Sequence, residues 1–273
     1  MTERAQTPPP WALARVPGVD PRAAPPATRR LTGGSVNEVY CVRSGAGTFV
    51  VRLNGAAWRR PGVDRHRELA LHRAAASAGV APAIVAADPD RDGLLITAYE
   101  PGRLWTEADY SSRSELHRLG ERLQVLHAVE APPVAAFDPW AIAQSYLEAI
   151  RHRDAPLELP EAQLHRLEGA CAEVRGAGIS RCIAHGDLAQ NNLLDGARLW
   201  LLDWEYAQRS DPFMDIACVL AYYPQSARLT AELAAAAGLR AERTILAPRL
   251  YIYRALSWLW HLARGERASP PAA

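Results

Sequence analysis

The stretch Ile183-Ala184-His185-Gly186-Asp187-Leu188-Ala189-Gln190-Asn191-Asn192-Leu193-Leu194, followed closely by Leu201-Leu202-Asp203-Trp204-Glu205, concentrates the polar chemistry of this chain. Taken singly, each residue has a plain explanation. An aspartate after glycine caps a turn or a helix, an asparagine sits in a loop, a histidine is satisfied inside the structure, and Asp203 merely ends a strand. The spacing and setting say more. The polar residues lie in a short β excursion, Ile183 to Asp203, with a hairpin turn expected at Asp195-Gly196. Helical segments surround it.

Asp187 and Asn192 stand at the spacing H-x-D-x-x-x-x-N, the catalytic loop of kinases. There the aspartate accepts the proton of the attacking hydroxyl and the asparagine binds magnesium. Asp203, at the end of an apolar run, is where such enzymes keep a second magnesium-binding carboxylate. Phosphoryl transfer needs this set, because charge on the transferring group must be met by a metal held on hard oxygen ligands. The attacking hydroxyl also needs a positioned acceptor for its proton. His185 is expected to serve structurally, fixing the loop by a hydrogen bond.

Outward from this centre the chain changes character once. Val39 to Arg43 and Thr48 to Leu53, across Ser44-Gly45-Ala46-Gly47, read as a β-hairpin. Asp64 caps a helix to Ser77-Ala78, with Gly79 as its stop, and Ile84–Ala87 and Leu94–Thr97 read as strands. From Glu107 onward most segments read as helix: Ser114–Val129, a helix opened by Asp138-Pro139, Pro160–Arg175 and Arg243–Arg264. The expected organisation is a mobile Pro/Ala-rich arm (1–27), a β-rich N-lobe (28–98), a hinge (99–102) and a helical C-lobe (103–273). A cleft between two lobes is a common ligand site.

His185 to Asn192, Asp203-Trp204-Glu205-Tyr206 and Asp211-Pro212-Phe213-Met214-Asp215-Ile216-Ala217 resemble the aminoglycoside phosphotransferase and choline kinase superfamily. The resemblance spans roughly Arg29 to Arg264. It implies an α+β, protein-kinase-like two-lobe fold with a β-rich N-lobe and an α-helical C-lobe. It also implies ATP and Mg2+ as cofactors and a small-molecule acceptor. Leu31 to Tyr40 resembles the family's nucleotide-covering loop, which places Gly34, Ser35 and Asn37 near phosphate. Arg52 stands where protein kinases keep their strand lysine and would pair with Glu68; choline-kinase-like enzymes resemble this chain in using arginine there. The linker Thr97 to Gly102 resembles the hinge, with adenine expected on backbone groups near Ala98 and Glu100. Asp215 resembles the aspartate that braces the catalytic loop.

Glu205, Tyr222, Tyr223, Trp258 and Trp260 are candidates to line the acceptor pocket. Aromatic faces with a carboxylate suit a quaternary or protonated amine. The same tryptophan helix equally reads as core, and the paired-tryptophan spacing of choline kinases is not reproduced. The favoured acceptor is a choline-, ethanolamine- or thiamine-like amino alcohol. An aminoglycoside or sugar acceptor is the alternative, and a nucleotide-binding pseudokinase without catalysis is a second. A two-metal phosphohydrolase ranks last for want of a histidine-rich ligand set.

Composition narrows the field further. The 273 residues contain no lysine, so all 31 basic residues are arginine, which excludes a pyridoxal Schiff base and a lysine phosphate loop. A net charge of +1 gives no global attraction to nucleic acid or anionic lipid. No run approaches the ~20 apolar residues of a membrane span. Cys41, Cys171, Cys182 and Cys218 lack metal-ligand spacing and read as reduced thiols of a cytoplasmic protein.

Overall fold

The computed structural model describes residues 7–31, 37–54, 62–153 and 159–271. A helical turn, α1 (Pro10–Leu13), precedes strands β1 (Ala27–Leu31), β2 (Asn37–Ser44) and β3 (Gly47–Asn54). Helix α2 (Arg65–Ser77) follows, then β4 (Ile84–Asp88) and β5 (Leu94–Ala98). The five strands form one antiparallel sheet in the order β1-β2-β3-β5-β4. This is the β-rich N-lobe. Side chains alternate across β3. Val51 and Leu53 join the apolar layer with Tyr40, Val42, Leu94 and Ile96, while Arg52 is buried and reaches α2.

Asp64 caps α2 by accepting from the amides of His66 and Arg67, as its sequence predicts. Gly79 follows at φ +69° and ends the helix. The N-terminal arm, expected to be mobile or loosely docked, is docked along part of its length. Ala12 and Val16 are fully or nearly buried in the N-lobe apolar layer, and Arg91 lies 4.2 Å over the Trp11 ring. Ser44 Oγ ties the segment down by donating to the Pro17 carbonyl at 2.6 Å. A proline-rich stretch without periodicity still buries side chains where the sheet offers an apolar face.

The C-lobe begins with β6 (Arg103–Leu104), followed by α3 (Arg113–His127), α4 (Pro139–Arg151) and α5 (Glu161–Gly176). Four short strands come next: β7 (Cys182–Ala184), β8 (Leu193–Asp195), β9 (Leu199–Leu201) and β10 (Gln208–Ser210). Helices α6 (Phe213–Tyr222), α7 (Thr230–Ala236) and α8 (Arg243–Ala263) complete it. The turn between β8 and β9 is Gly196-Ala197-Arg198, one residue longer than the two-residue turn expected at Asp195-Gly196, since Asp195 itself still pairs with Leu199. One core joins α2, α3, α6 and the β7–β9 strands; a second is built by α4, α5 and α8.

The short strands aim the site. β7 pairs antiparallel with β10, placing Ala184 opposite Gln208. β8 pairs with β9, placing Leu193 opposite Leu201. The loops 185–192 and 202–207 therefore leave the same end of the two ribbons and face each other. Among the described residues no helix is long and apolar enough to cross a membrane, and none of the four cysteines is disulfide-bonded.

Candidate active site

Backbone geometry brings the two loops into contact. Gly186 has φ +74°, and a Cβ there would lie 2.7 Å from the Tyr206 carbonyl, so only glycine fits. Leu202 N–H donates to the Asn192 carbonyl at 2.8 Å. His185 is fully buried; its Nε2 lies 2.9 Å from the Leu202 carbonyl, and its Nδ1 accepts from the Asp187 amide at 3.3 Å. Burial lowers the His185 pKa, which favours the neutral ring that this pattern of one donor and one acceptor needs. Asp215, at the start of α6, has no exposed surface and accepts from the amides of His185 (3.1 Å) and Gly186 (2.9 Å) and from His127 Nε2 (3.0 Å).

Asp187 is held on both oxygens. Asn192 Nδ2 donates to Oδ2 at 2.8 Å and to the Asp187 carbonyl at 2.9 Å, and the Tyr222 hydroxyl donates to Oδ1 at 2.7 Å. Burial raises the Asp187 pKa to about 6; Glu205 adds to the rise, while the bonds from Tyr222 and Asn192 oppose it. Asp203 has φ +59°, a left-handed turn that asparagine and aspartate tolerate best among residues with a Cβ, and the turn directs it from β9 into the recess. Its pKa is pushed up to about 7 by burial and by Glu205, Glu68 and Asp187, against the pull of Arg52.

A chain of ion pairs runs from Asp203 into the N-lobe. Arg52 Nη1 reaches Asp203 Oδ1 at 3.1 Å and Glu68 Oε1 at 2.5 Å. Arg65 then forks, with Nη1 to Glu68 Oε2 at 2.6 Å and Nη2 to Glu205 Oε2 at 3.2 Å. Asn37 Nδ2 donates to the same Glu205 oxygen at 3.4 Å. Burial works against the Glu68 carboxylate, but Arg52 and Arg65 outweigh it and hold the pKa near about 2. Burial likewise opposes charge on Arg52, and its acidic neighbours more than compensate. The Arg52–Glu68 pairing follows the expectation from sequence. Sequence reasoning does not single out Arg65, although its i,i+3 spacing to Glu68 on α2 is a readable signal.

These groups border a cavity of about 430 Å³. Asp187, Asn192, Asp203 and Glu205 line it, together with Phe137, Tyr146, Tyr206, Tyr222, Tyr253 and Trp260. No arginine is among its described lining residues. Tyr253 and Trp260 lie on one face of α8, seven positions apart, and this stripe is the available signal for Tyr253. Trp258 turns the other way, buried in the core with α4 and α5. Tyr223 corrects a second expectation. It does not line the cavity; it stacks on Tyr110 and accepts from the Gln190 amide at 2.7 Å, so it props the loop. Tyr222 is the last residue of α6, whereas Tyr223 follows it with non-helical dihedrals (φ −128°, ψ 76°), so the chain has already left the helix at Tyr223.

Two further expectations concern the nucleotide. Gly34 and Ser35 lie outside the described residues. The Ala98 amide donates to the Ala83 carbonyl at 2.9 Å. Neither Ala98 nor Glu100 lines the cavity.

The donor set fits magnesium on chemical grounds. Asn192 spends its Nδ2 on Asp187, leaving the amide oxygen, and Asp203 offers a carboxylate in a recess crowded with negative charge. Among the described residues no cluster of three or more His, Cys, Asp or Glu side chains is arranged to hold a metal by itself. Magnesium characteristically binds through one or two protein oxygens plus water and substrate phosphates, so two ligands suffice.

The sequence profile of the phosphotransferase enzyme family (APH) matches residues 12–249. The chain belongs to this family. Among solved structures it is similar to a choline/ethanolamine kinase family protein from Mesorhizobium loti, with 25% identity, 94% of this chain and 83% of that one covered, and a TM-score of 0.74. It also resembles the choline kinase LicA from Streptococcus pneumoniae (19% identity, 90% and 89% covered, TM-score 0.72). The macrolide 2'-phosphotransferase MphH from Brachybacterium faecium is a third (22%, 88% of each chain covered, TM-score 0.55). A search of curated protein sequences found no match. The two-lobe, kinase-like fold expected from the sequence is thus the fold observed.

Proposed function

We propose that this phosphotransferase moves the γ-phosphoryl group of ATP, with magnesium, to a hydroxyl of a small cationic alcohol of the choline, ethanolamine or thiamine kind. The observation that carries the reading is the composition of the cavity. Three carboxylates, Asp187, Asp203 and Glu205, sit with aromatic walls, and no arginine is among the described lining residues. Aromatic faces and carboxylates together attract a protonated or quaternary amine, and a desolvated site strengthens both interactions. The volume lies within the ~300–1,000 Å³ of small-molecule sites. The Mesorhizobium loti structure supports the same acceptor class.

Asp187 orients the acceptor hydroxyl and takes its proton. A pKa near about 6 leaves it ionised at neutral pH yet a better base than an exposed aspartate. Asn192 and Asp203 would hold magnesium, which neutralises charge on the phosphates when bound. Arg52, anchored by Glu68 and 3.1 Å from Asp203 Oδ1, would contact phosphate. Arginine stays charged there and does not act as a base. Gly34, Ser35 and Asn37 would cover the nucleotide, with adenine near Glu100.

The test is acceptor-stimulated, magnesium-dependent ADP release against separate pools of amino alcohols, thiamine, aminoglycosides and sugars. Stimulation by the amino-alcohol or thiamine pool, lost by about 10²- to 10⁴-fold in Asp187→Asn with ATP binding retained, is the expected result. Stimulation by aminoglycosides or sugars alone would overturn the acceptor class. Mg-ATP binding without turnover on any pool would favour a pseudokinase.

A further inference from the structure

Tyr222 raises a question that the phosphotransfer reading does not answer. Its hydroxyl lies 2.7 Å from Oδ1 of Asp187, the oxygen left over once Asn192 has taken Oδ2. An acceptor hydroxyl must form the same bond, at the same distance, before it can give up its proton. The phenol therefore occupies the seat of the acceptor's reacting group. The two partners of Asp187 differ in kind. Asn192 is buried and fixed within the loop, whereas Tyr222 ends α6 and is 42% exposed. Tyr222 is the partner that can leave.

The structure also provides a place for it to go. A second cavity of about 250 Å³ adjoins the first, lined by Tyr222, Tyr253, Arg254, Ser257, Trp258 and the tail residues Ala268–Ser269, among others. Tyr222 and Tyr253 line both cavities, with their rings packed edge to face at 5.6 Å. A change between staggered χ1 wells would carry the phenol from one cavity towards the other.

We infer that Tyr222 is a stand-in for the acceptor hydroxyl, which keeps water off Asp187 until an acceptor displaces it and so restrains wasteful ATP hydrolysis. The inference rests on the proposed kinase activity. The restrained reaction is attack of a water oxygen on the γ-phosphorus. The bond from that phosphorus to the β,γ-bridging oxygen breaks, ADP leaves, and the water proton passes to Asp187. Nothing in Asp187 itself distinguishes a water from an alcohol, so a site of this kind needs something else to exclude the smaller nucleophile. A phenol suits that role, because a tyrosine hydroxyl, with an ordinary pKa of about 10, is protonated at neutral pH and so a donor.

The experiment is ADP release from Mg-ATP with no acceptor present, for the wild type, Tyr222→Phe and the double variant Tyr222→Phe/Asp187→Asn, with Mg-ATP binding measured in parallel by calorimetry. Phenylalanine keeps the ring and its packing on Tyr253 and removes only the hydroxyl. Acceptor-free release is expected to rise about tenfold in Tyr222→Phe and to fall back in the double variant, because the exposed Asp187 serves the water. A general loosening of the loop lowers turnover and does not produce a gain that depends on Asp187. Equal or lower release in Tyr222→Phe, with Mg-ATP binding intact, overturns the inference and leaves the kinase reading standing. Absence of Mg-ATP binding in the wild type overturns both.

Discussion

Asp187→Asn should abolish turnover and make the protein more stable. The Asp187 carboxylate has an ordinary pKa of 3.8 and is raised to about 6 in the fold, chiefly by burial. A raised carboxylate binds its proton more tightly in the native state than in the unfolded chain. Its stabilising contribution is therefore complete below 3.8 and is lost as pH rises through about 6; above that the ionised form is a burden on the fold. A rise from 3.8 to about 6 corresponds to about 3 kcal/mol. The cavity is open to water, so about 1–2 kcal/mol is the better expectation. Asparagine removes the charge and keeps the shape. It can still accept from Tyr222, although one of its amide hydrogens then meets Asn192 Nδ2 and obliges that side chain to adjust. Comparing two pH values cancels this rearrangement. Urea unfolding of the wild type and Asp187→Asn, without magnesium, should give a stability difference that is about 1–2 kcal/mol more favourable to the variant at about pH 7.5 than at about pH 4.5. Loss of the Asp187 charge also relieves Asp203, whose pKa Asp187 raises, and this acts in the same direction. A difference that does not change with pH, or one that favours the wild type more as pH rises, would refute the reasoning.

Two other substitutions separate the props of the site from its walls. Tyr223→Phe leaves the Gln190 amide without its acceptor; stability should fall by about 1–3 kcal/mol and turnover should fall with it, with acceptor KM unchanged because the ring does not line the cavity. A selective rise in acceptor KM would place Tyr223 back in the pocket. Arg65→Met removes the fork between Glu68 and Glu205, and breaking a buried pair by losing one partner costs about 3–5 kcal/mol. In a double-mutant cycle with Glu205→Gln, a coupling of at least about 1 kcal/mol is expected, and strict additivity would show that the fork does not bind the two ends together.

The legible parts of this protein are those whose partners are close in sequence or whose role fixes the residue type. The catalytic loop is readable because His185, Asp187 and Asn192 serve one short turn and each needs its own chemistry. The Asp64 and Asp138 caps are readable because capping is local. Arg65 lies 140 residues from Glu205, so half of its role cannot be read from α2 alone. Tyr146 reaches the cavity from α4, which packs beside α8, and Phe137 from the segment before α4, where its amide donates to the Arg209 carbonyl of β10 at 2.9 Å; both are tertiary outcomes with no local signature. β6 has two residues, too few for any alternation to register. Tyr222 and Tyr223 show the limit most directly: side by side in sequence and alike in chemistry, they are parted by the end of α6, one to the cavity and one to the loop's backbone.

The ion-pair chain links these observations. Asp203, Arg52, Glu68, Arg65 and Glu205 form an unbroken series with three carboxylates against two guanidinium groups. Both arginines and Glu68 come from the N-lobe, and Asp203 and Glu205 from the 202–207 loop of the C-lobe. The series therefore fastens the lobes together through the candidate metal ligand at one end and the acceptor-pocket carboxylate at the other. Buried pairs of this kind seldom add net stability over well-packed apolar groups, so stability alone does not account for them. Asp203 and Glu205 stand two residues apart in the recess, the place where a cation would be accommodated. Asp203, were it to hold magnesium, would share less of its carboxylate with Arg52, whose guanidinium would then be available to phosphate. A cationic acceptor meets Glu205, already oriented by Arg65 and Asn37. On the proposed reading nucleotide and acceptor would act on opposite ends of one charged series, which would give each a physical route to alter the other's affinity.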